Sequence, residues 1–329
     1  MIDWIGILIT IVKVIVIFGG LMVLVAYMTL FERRLIAFIQ VRKGPNRVGF
    51  EGLLQPIADA IKLLFKEDVT PEGANKFIFA IAPAITFVPI LLTIAVIPVA
   101  DSFTLFGRKI EMVISDLNIG VLFILAVTAL ETYGLILGGW ASNSKYSLLG
   151  GMRASAQMIS YEVALGLTLI GVLMVSGTFS LSEIVNQQDS FLKMNVIRQP
   201  LGFILFLVCA MAEVNRIPFD LPEAEGELVG GYNTEFSSMK FAMYFMAEYA
   251  SMITVSALIV TLYFGGWQGP VLPSILWFLI KVAAFLFFFV WVRGTLPRFR
   301  YDHLMQFGWL VLIPLALINL MVTGLVMAL

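Results

Sequence analysis

The chain has 329 residues but only one cysteine, Cys209, and one histidine, His303. That scarcity excludes a disulfide framework, a Cys/His zinc site, a thiolate-held iron–sulfur cluster and a paired-histidine haem within this chain alone. Charge is scarce too. Asp, Glu, Lys and Arg make up 13% of the residues, about half the usual share in soluble domains. The net charge is −1, so no overall field draws nucleic acid. No glycine-rich fingerprint lies between a strand and a helix, which leaves no legible nucleotide site. What is abundant is apolar surface, with 60% hydrophobic residues and a mean hydropathy of +0.96. So few charges cannot cover a soluble protein of this length. The solvent for most of it is lipid.

A bilayer core takes about 20 apolar residues per helix. Eight stretches qualify, at about 4–31, 77–99, 118–140, 157–178, 199–215, 240–264, 273–292 and 304–328. The first is too long for a signal-peptide core and has neither a basic flank nor a small-residue cleavage site, so it reads as a span. The fold class is therefore an all-α polytopic membrane protein, expected as one integral domain over residues 1–329. Fifteen of the basic residues fall on the side of the odd-numbered loops, and four (Arg108, Lys109, Lys193 and Arg198) on the other. The positive-inside rule then puts the odd loops in the cytoplasm and both termini outside. The outer loops, 100–117 and 179–198, read as plain connections.

The first cytoplasmic loop reads ERRLIAFIQVRKGPNRVGFEGLLQPIADAIKLLFKEDVTPEGANK over 32–76. Leu53, Leu54, Ile57, Ala58, Ile61, Leu64 and Phe65 recur at helical spacing, with Gln55, Asp59, Lys62 and Lys66 on other faces. A charged helix this short lies in the interface rather than crossing it, giving an amphipathic surface segment at about 50–67. Read alone, it is a headgroup-binding helix on a solvated loop. The sharper reading makes it the floor of a doorway for an amphiphile, with Glu32, Arg33 and Arg34 at the membrane boundary.

Four acids sit inside spans: Glu131, Glu162, Glu213 and Glu248. A buried carboxylate costs about 2.5–3.5 kcal/mol to insert, so such groups face protein or water. From the cytoplasmic ends of the predicted spans, Glu213 lies about 3–4 Å in, Glu162 about 8 Å, and Glu131 and Glu248 about 13 Å. Burial raises a carboxyl pKa to where it can take up and release a proton. Four at graded depth favour a proton or ion path over isolated structural hydrogen bonds, with Tyr161, Tyr244 and Tyr249 to order bridging water. Lys13 and Lys281 are also deep and would snorkel outward or pair with an acid. After span 5, the cytoplasmic loop at about 216–239 concentrates Asp220, Glu223, Glu225, Glu227 and Glu235 against one base, Arg216. Crowded acids of this kind respond to a nearby charge, and Pro218, Pro222, Gly226, Gly230 and Gly231 provide bends.

The stretches ERRLIAFIQVRKGPNRVGFEGLLQPIADAIKLLFKED (32–68) and AEVNRIPFDLPEAEGELVGGYNTEF (212–236) resemble the signature segments of the quinone-proximal membrane subunit of respiratory complex I. In bacteria that family is the H-type subunit of NADH-quinone oxidoreductase, and in mitochondria it is NADH dehydrogenase subunit 1. The resemblance extends to the span count, the buried glutamates and the chain length.

It implies a chamber for a quinone headgroup lined or supported by Glu32, Arg33, Arg34, Asp59, Lys62, Arg293 and Arg298. Asp220, Glu223, Glu225 and Glu227 would form a coupling loop, and Glu131, Glu162, Glu213 and Glu248 a proton path. Quinone would be substrate. NADH, flavin and the iron–sulfur clusters would belong to partner subunits of the hydrophilic arm, among them the holder of the terminal cluster. Other membrane subunits and lipid would complete the surroundings, in an energy-transducing membrane such as the bacterial inner membrane. A proton-coupled transporter would share the midplane acids but would show an internal repeat. A purely structural anchor and a hydrogenase-linked or photosynthetic homologue are the other readings.

Overall fold

The computed structural model describes residues 4–105, 108–221 and 229–328. Its elements run α1 (Trp4–Ile39), α2 (Gln55–Phe65), α3 (Lys76–Ile94), β1 (Ala100–Leu105), β2 (Arg108–Met112), α4 (Gly120–Ala141), α5 (Lys145–Ser176), α6 (Leu181–Asn186), α7 (Asn195–Arg198), α8 (Pro200–Glu213), α9 (Ser238–Tyr263), α10 (Ser274–Thr295), α11 (Tyr301–Phe307) and α12 (Ile313–Ala328). A π-helical turn, Gly308–Leu312, joins α11 to α12. Among the described residues, seven helical stretches are long and apolar enough to cross a membrane, and α8 is a shorter apolar helix. The architecture is all-α and polytopic. α8 rises only about 21 Å, less than a hydrocarbon core of about 30 Å.

α9 is the central helix, with every residue from Tyr249 to Tyr263 buried. Its serine and threonine hydroxyls are tolerated there because they find nearby backbone carbonyls, as Thr254 does with Ala250 and Thr261 with Ala257. α1, α3, α8 and α10 pack around it. The α3–α4 contact is tight: a methyl group on Gly134 would lie 2.1 Å from Thr86 Oγ1 and 2.6 Å from the Thr86 amide nitrogen. Only glycine fits.

Several sequence-level boundaries move. Arg33 and Arg34 lie within α1, which runs on to Ile39 rather than ending near residue 31. α5 begins at Lys145, twelve residues before the predicted edge, so Lys145 and Arg153 are helical rather than in a loop. The reason is that hydropathy reports lipid exposure rather than helicity. The small residues of that turn pack on protein instead: Gly150 faces Gly231 and Tyr232, and Gly151 faces Leu135 and Gly139 of α4. Arg293 likewise sits inside α10. The outer connections are not plain. One carries the antiparallel β1–β2 hairpin, with Phe103 opposite Ile110, and the other carries α6 and α7.

α2 lies at the end of the bundle where α1 finishes, with Ile57, Ile61, Leu64 and Phe65 exposed, as an interfacial helix requires. Its loop is pinned to α9: Ser238 Oγ donates to Leu63 O, and Lys240 pairs with Asp68 at 2.9 Å. The hairpin marks the opposite end, where Lys13 Nζ donates to Val113 O.

Candidate functional site

α1, α2 and α9 enclose a cleft of about 500 Å³. Its walls are apolar, with Val25 and Ala26 from α1, Leu63 from α2, and Phe245 and Met246 from α9. Its polar residues are few. Arg33 Nη1 holds Asp59 Oδ2 at 2.7 Å, Lys62 stands 3.7 Å from the other carboxylate oxygen, and Gln55 donates to Asp59. An apolar groove ending in a charged cluster fits an amphiphile with a polar head and a hydrocarbon tail.

Tyr249 also lines the cleft, and the Arg216 guanidinium stacks over its ring at 4.3 Å. Arg216 is only 5% exposed. Its Nη1 reaches both oxygens of Glu32, at 2.8 and 3.1 Å, and its Nε meets Glu248 Oε1 at 2.5 Å. Arg293 Nη1 contacts the same Glu32 carboxylate. One guanidinium thus joins α1, α9 and the turn after α8.

On the far side of Glu248 is a cavity of about 10 Å³ lined by Glu131, Glu248, Thr86, Asn215, Tyr232 and Tyr244. That volume suits about one water molecule. Glu131 is buried on α4 and lies within electrostatic range of Glu213 and Glu248, as Glu213 does of Glu162. Gln157 holds the turn beside Glu213 by donating to Ala212 O and Phe219 O, both at 2.8 Å, and to Asn215 Oδ1. Asn215 has φ +54, a left-handed conformation that asparagine tolerates better than most residues. Because Gln157 sits level with the end of α8, Glu162 lies about 8 Å farther along α5.

The remaining residues singled out from sequence divide four ways. Arg298 pairs with Asp220 at 2.9 Å, beside the network rather than in it. Arg34 is half-buried under the Gly44 turn and does not line the cleft. Glu223, Glu225 and Glu227 fall outside the described residues. Lys13 and Lys281 bind backbone carbonyls, Lys281 holding those of Phe264, Gly266 and Gln268 at 2.7–3.0 Å. Among the described residues no group of three His, Cys, Asp or Glu is arranged to hold a metal.

Residues 12–324 match the family model described as NADH dehydrogenase. The chain is 53% identical over 314 residues to the H-type NADH-quinone oxidoreductase subunit of Syntrophotalea carbinolica, covering 95% of this chain and 94% of that one. An H-type subunit of the same enzyme from Geobacter metallireducens is 53% identical over 312 residues, covering 95% and 94%. Its counterpart in Thermomicrobium roseum is 50% identical over 332, covering 98% and 97%. The chain belongs to the family of H-type NADH-quinone oxidoreductase subunits.

In this member of the family, sequence reasoning passed over Arg216 and Gln157. Arg216 reads as the single base of an acidic, solvated loop. Its position three residues after the buried Glu213 was the available signal, since a lone base beside intramembrane acids tends to be drawn inward.

Proposed function

We propose that this chain is the membrane subunit of a proton-translocating NADH:quinone oxidoreductase that receives the quinone and passes the charge change inward. The cleft between α1, α2 and α9 admits the quinone, its tail against the apolar walls and its head toward Arg33, Asp59 and Tyr249. Electrons come from an iron–sulfur cluster held by a partner of the hydrophilic arm, fed in turn by that arm's flavin and NADH. Quinone takes up two electrons and two protons to become quinol. The observation that carries this reading is the position of Arg216, which touches Tyr249 of the cleft, the buried Glu32, and Glu248 of the small cavity.

Negative charge developing on the quinone head competes with the carboxylates for the nearby guanidinium groups. As Arg216 shifts toward the cleft, the Glu248 carboxylate loses the charge of that guanidinium and becomes the better proton acceptor. A guanidinium shared between two carboxylates has two arrangements, and such a two-state element is what coupling needs. Glu131, Glu213 and Glu162 extend the path from Glu248, and Asp220, Glu223, Glu225 and Glu227 supply the acids of the coupling loop that follows Glu213 in sequence. The α2 end faces the cytoplasm of a bacterial inner membrane, and the hairpin end faces outward. Replacing Glu213 or Glu225 with Gln is expected to impair quinone reductase turnover and pumping, with the complex still assembled. Wild-type coupled activity in an assembled Glu213→Gln complex would reduce the chain to a membrane tether.

A further inference from the structure

Gln199 is the single residue between α7 and α8, and its side chain is 4% exposed. Its Nε2 donates to Gly171 O of α5 at 2.7 Å and to Thr323 Oγ1 of α12 at 3.1 Å. The Thr323 hydroxyl in turn donates to Asn319 O at 2.8 Å. Two atoms remain without a hydrogen-bond partner among the described residues: Gln199 Oε1, an acceptor, and Asn319 Nδ2, a donor. Asn319 is 6% exposed, so both side chains are more than nine-tenths buried.

Both atoms face the same two glycines. A methyl group on Gly171 would lie 3.1 Å from Gln199 Oε1 and 3.3 Å from Asn319 Nδ2. On Gly202 of α8 it would lie 3.1 Å from Asn319 Nδ2 and 3.3 Å from Gln199 Oε1. A side chain on either glycine would therefore crowd the polar pair. An unpaired acceptor beside an unpaired donor is satisfied by one molecule able to donate to the first and accept from the second.

We propose that this site between α5, α8 and α12 binds one ordered water, which bridges Gln199 Oε1 and Asn319 Nδ2. The bridge fastens the interruption between α7 and α8 to α5 and α12. It thereby fixes one end of the short helix whose other end carries Glu213. Tyr263 of α9, donating to Gly202 O at 3.3 Å, braces the same turn.

A cryo-electron-microscopy map of the assembled complex, detailed enough to show ordered solvent, is expected to contain a peak within hydrogen-bonding distance of both atoms. Gly171→Ala is expected to lose that peak and to lower the unfolding temperature of the complex, although alanine is the better helix former. A direct Asn319–Gln199 hydrogen bond with no peak in the wild-type map overturns the proposal, as does a peak that survives Gly171→Ala. The wild-type map decides even if the variant fails to assemble, and its outcome is independent of turnover in Glu213→Gln.

Discussion

Arg216 is the residue on which the site depends. Buried ions survive only with partners, and removing one member of such a set leaves the others uncompensated, at a cost of about 3–5 kcal/mol. Arg216→Met takes the guanidinium from Glu248 and leaves Arg293 as the remaining cation on Glu32, and it is expected to destabilise the chain by about that much, measured by thermal unfolding of the assembled complex. Arg216→Lys keeps the charge but loses the planar fork that spans both acids, so assembly should recover further than turnover. The acids of this network were legible from sequence because intramembrane carboxylates are rare and costly. Arg216 was not, because its burial depends on bringing together residues 32, 216, 248 and 293, which only the folded bundle does.

Among the elements, α2 was the most readable. Its apolar residues recur at helical spacing, and the observed helix, Gln55–Phe65, falls inside the predicted segment. The start of α5 was the least readable, since a helix turn rich in glycine and serine that packs on protein resembles a loop to any hydropathy measure. The β1–β2 hairpin escaped for a related reason: its strands are six and five residues long, well below the length of a span. The cleft is a property of three elements at once, and it makes a prediction at that scale. Ala60 is an exposed residue of α2 that lines it, so Ala60→Phe should fold normally and narrow the passage. The KM for a long-tailed quinone is expected to rise roughly tenfold, equivalent to about 1.4 kcal/mol of binding, with kcat little changed in steady-state assays on the assembled complex.

At the scale of the whole molecule, the basic residues set an orientation that can be read chemically. Cys209 is buried, so a membrane-impermeant thiol reagent reports only on introduced cysteines. Glu72→Cys, on the α2 side, should label in inside-out vesicles, and Ser190→Cys, on the hairpin side, in right-side-out ones. The reverse pattern would invert the topology. Between those faces Arg216 links Tyr249 of the cleft to Glu248, which shares a small cavity with the buried Glu131. The most direct test is the proton-to-electron ratio of the purified complex in sealed proteoliposomes carrying Glu131→Gln. A neutral amide at that position is expected to abolish quinone-linked pumping, with Glu131→Asp retaining part of it. An unchanged ratio in the Gln variant would contradict the account.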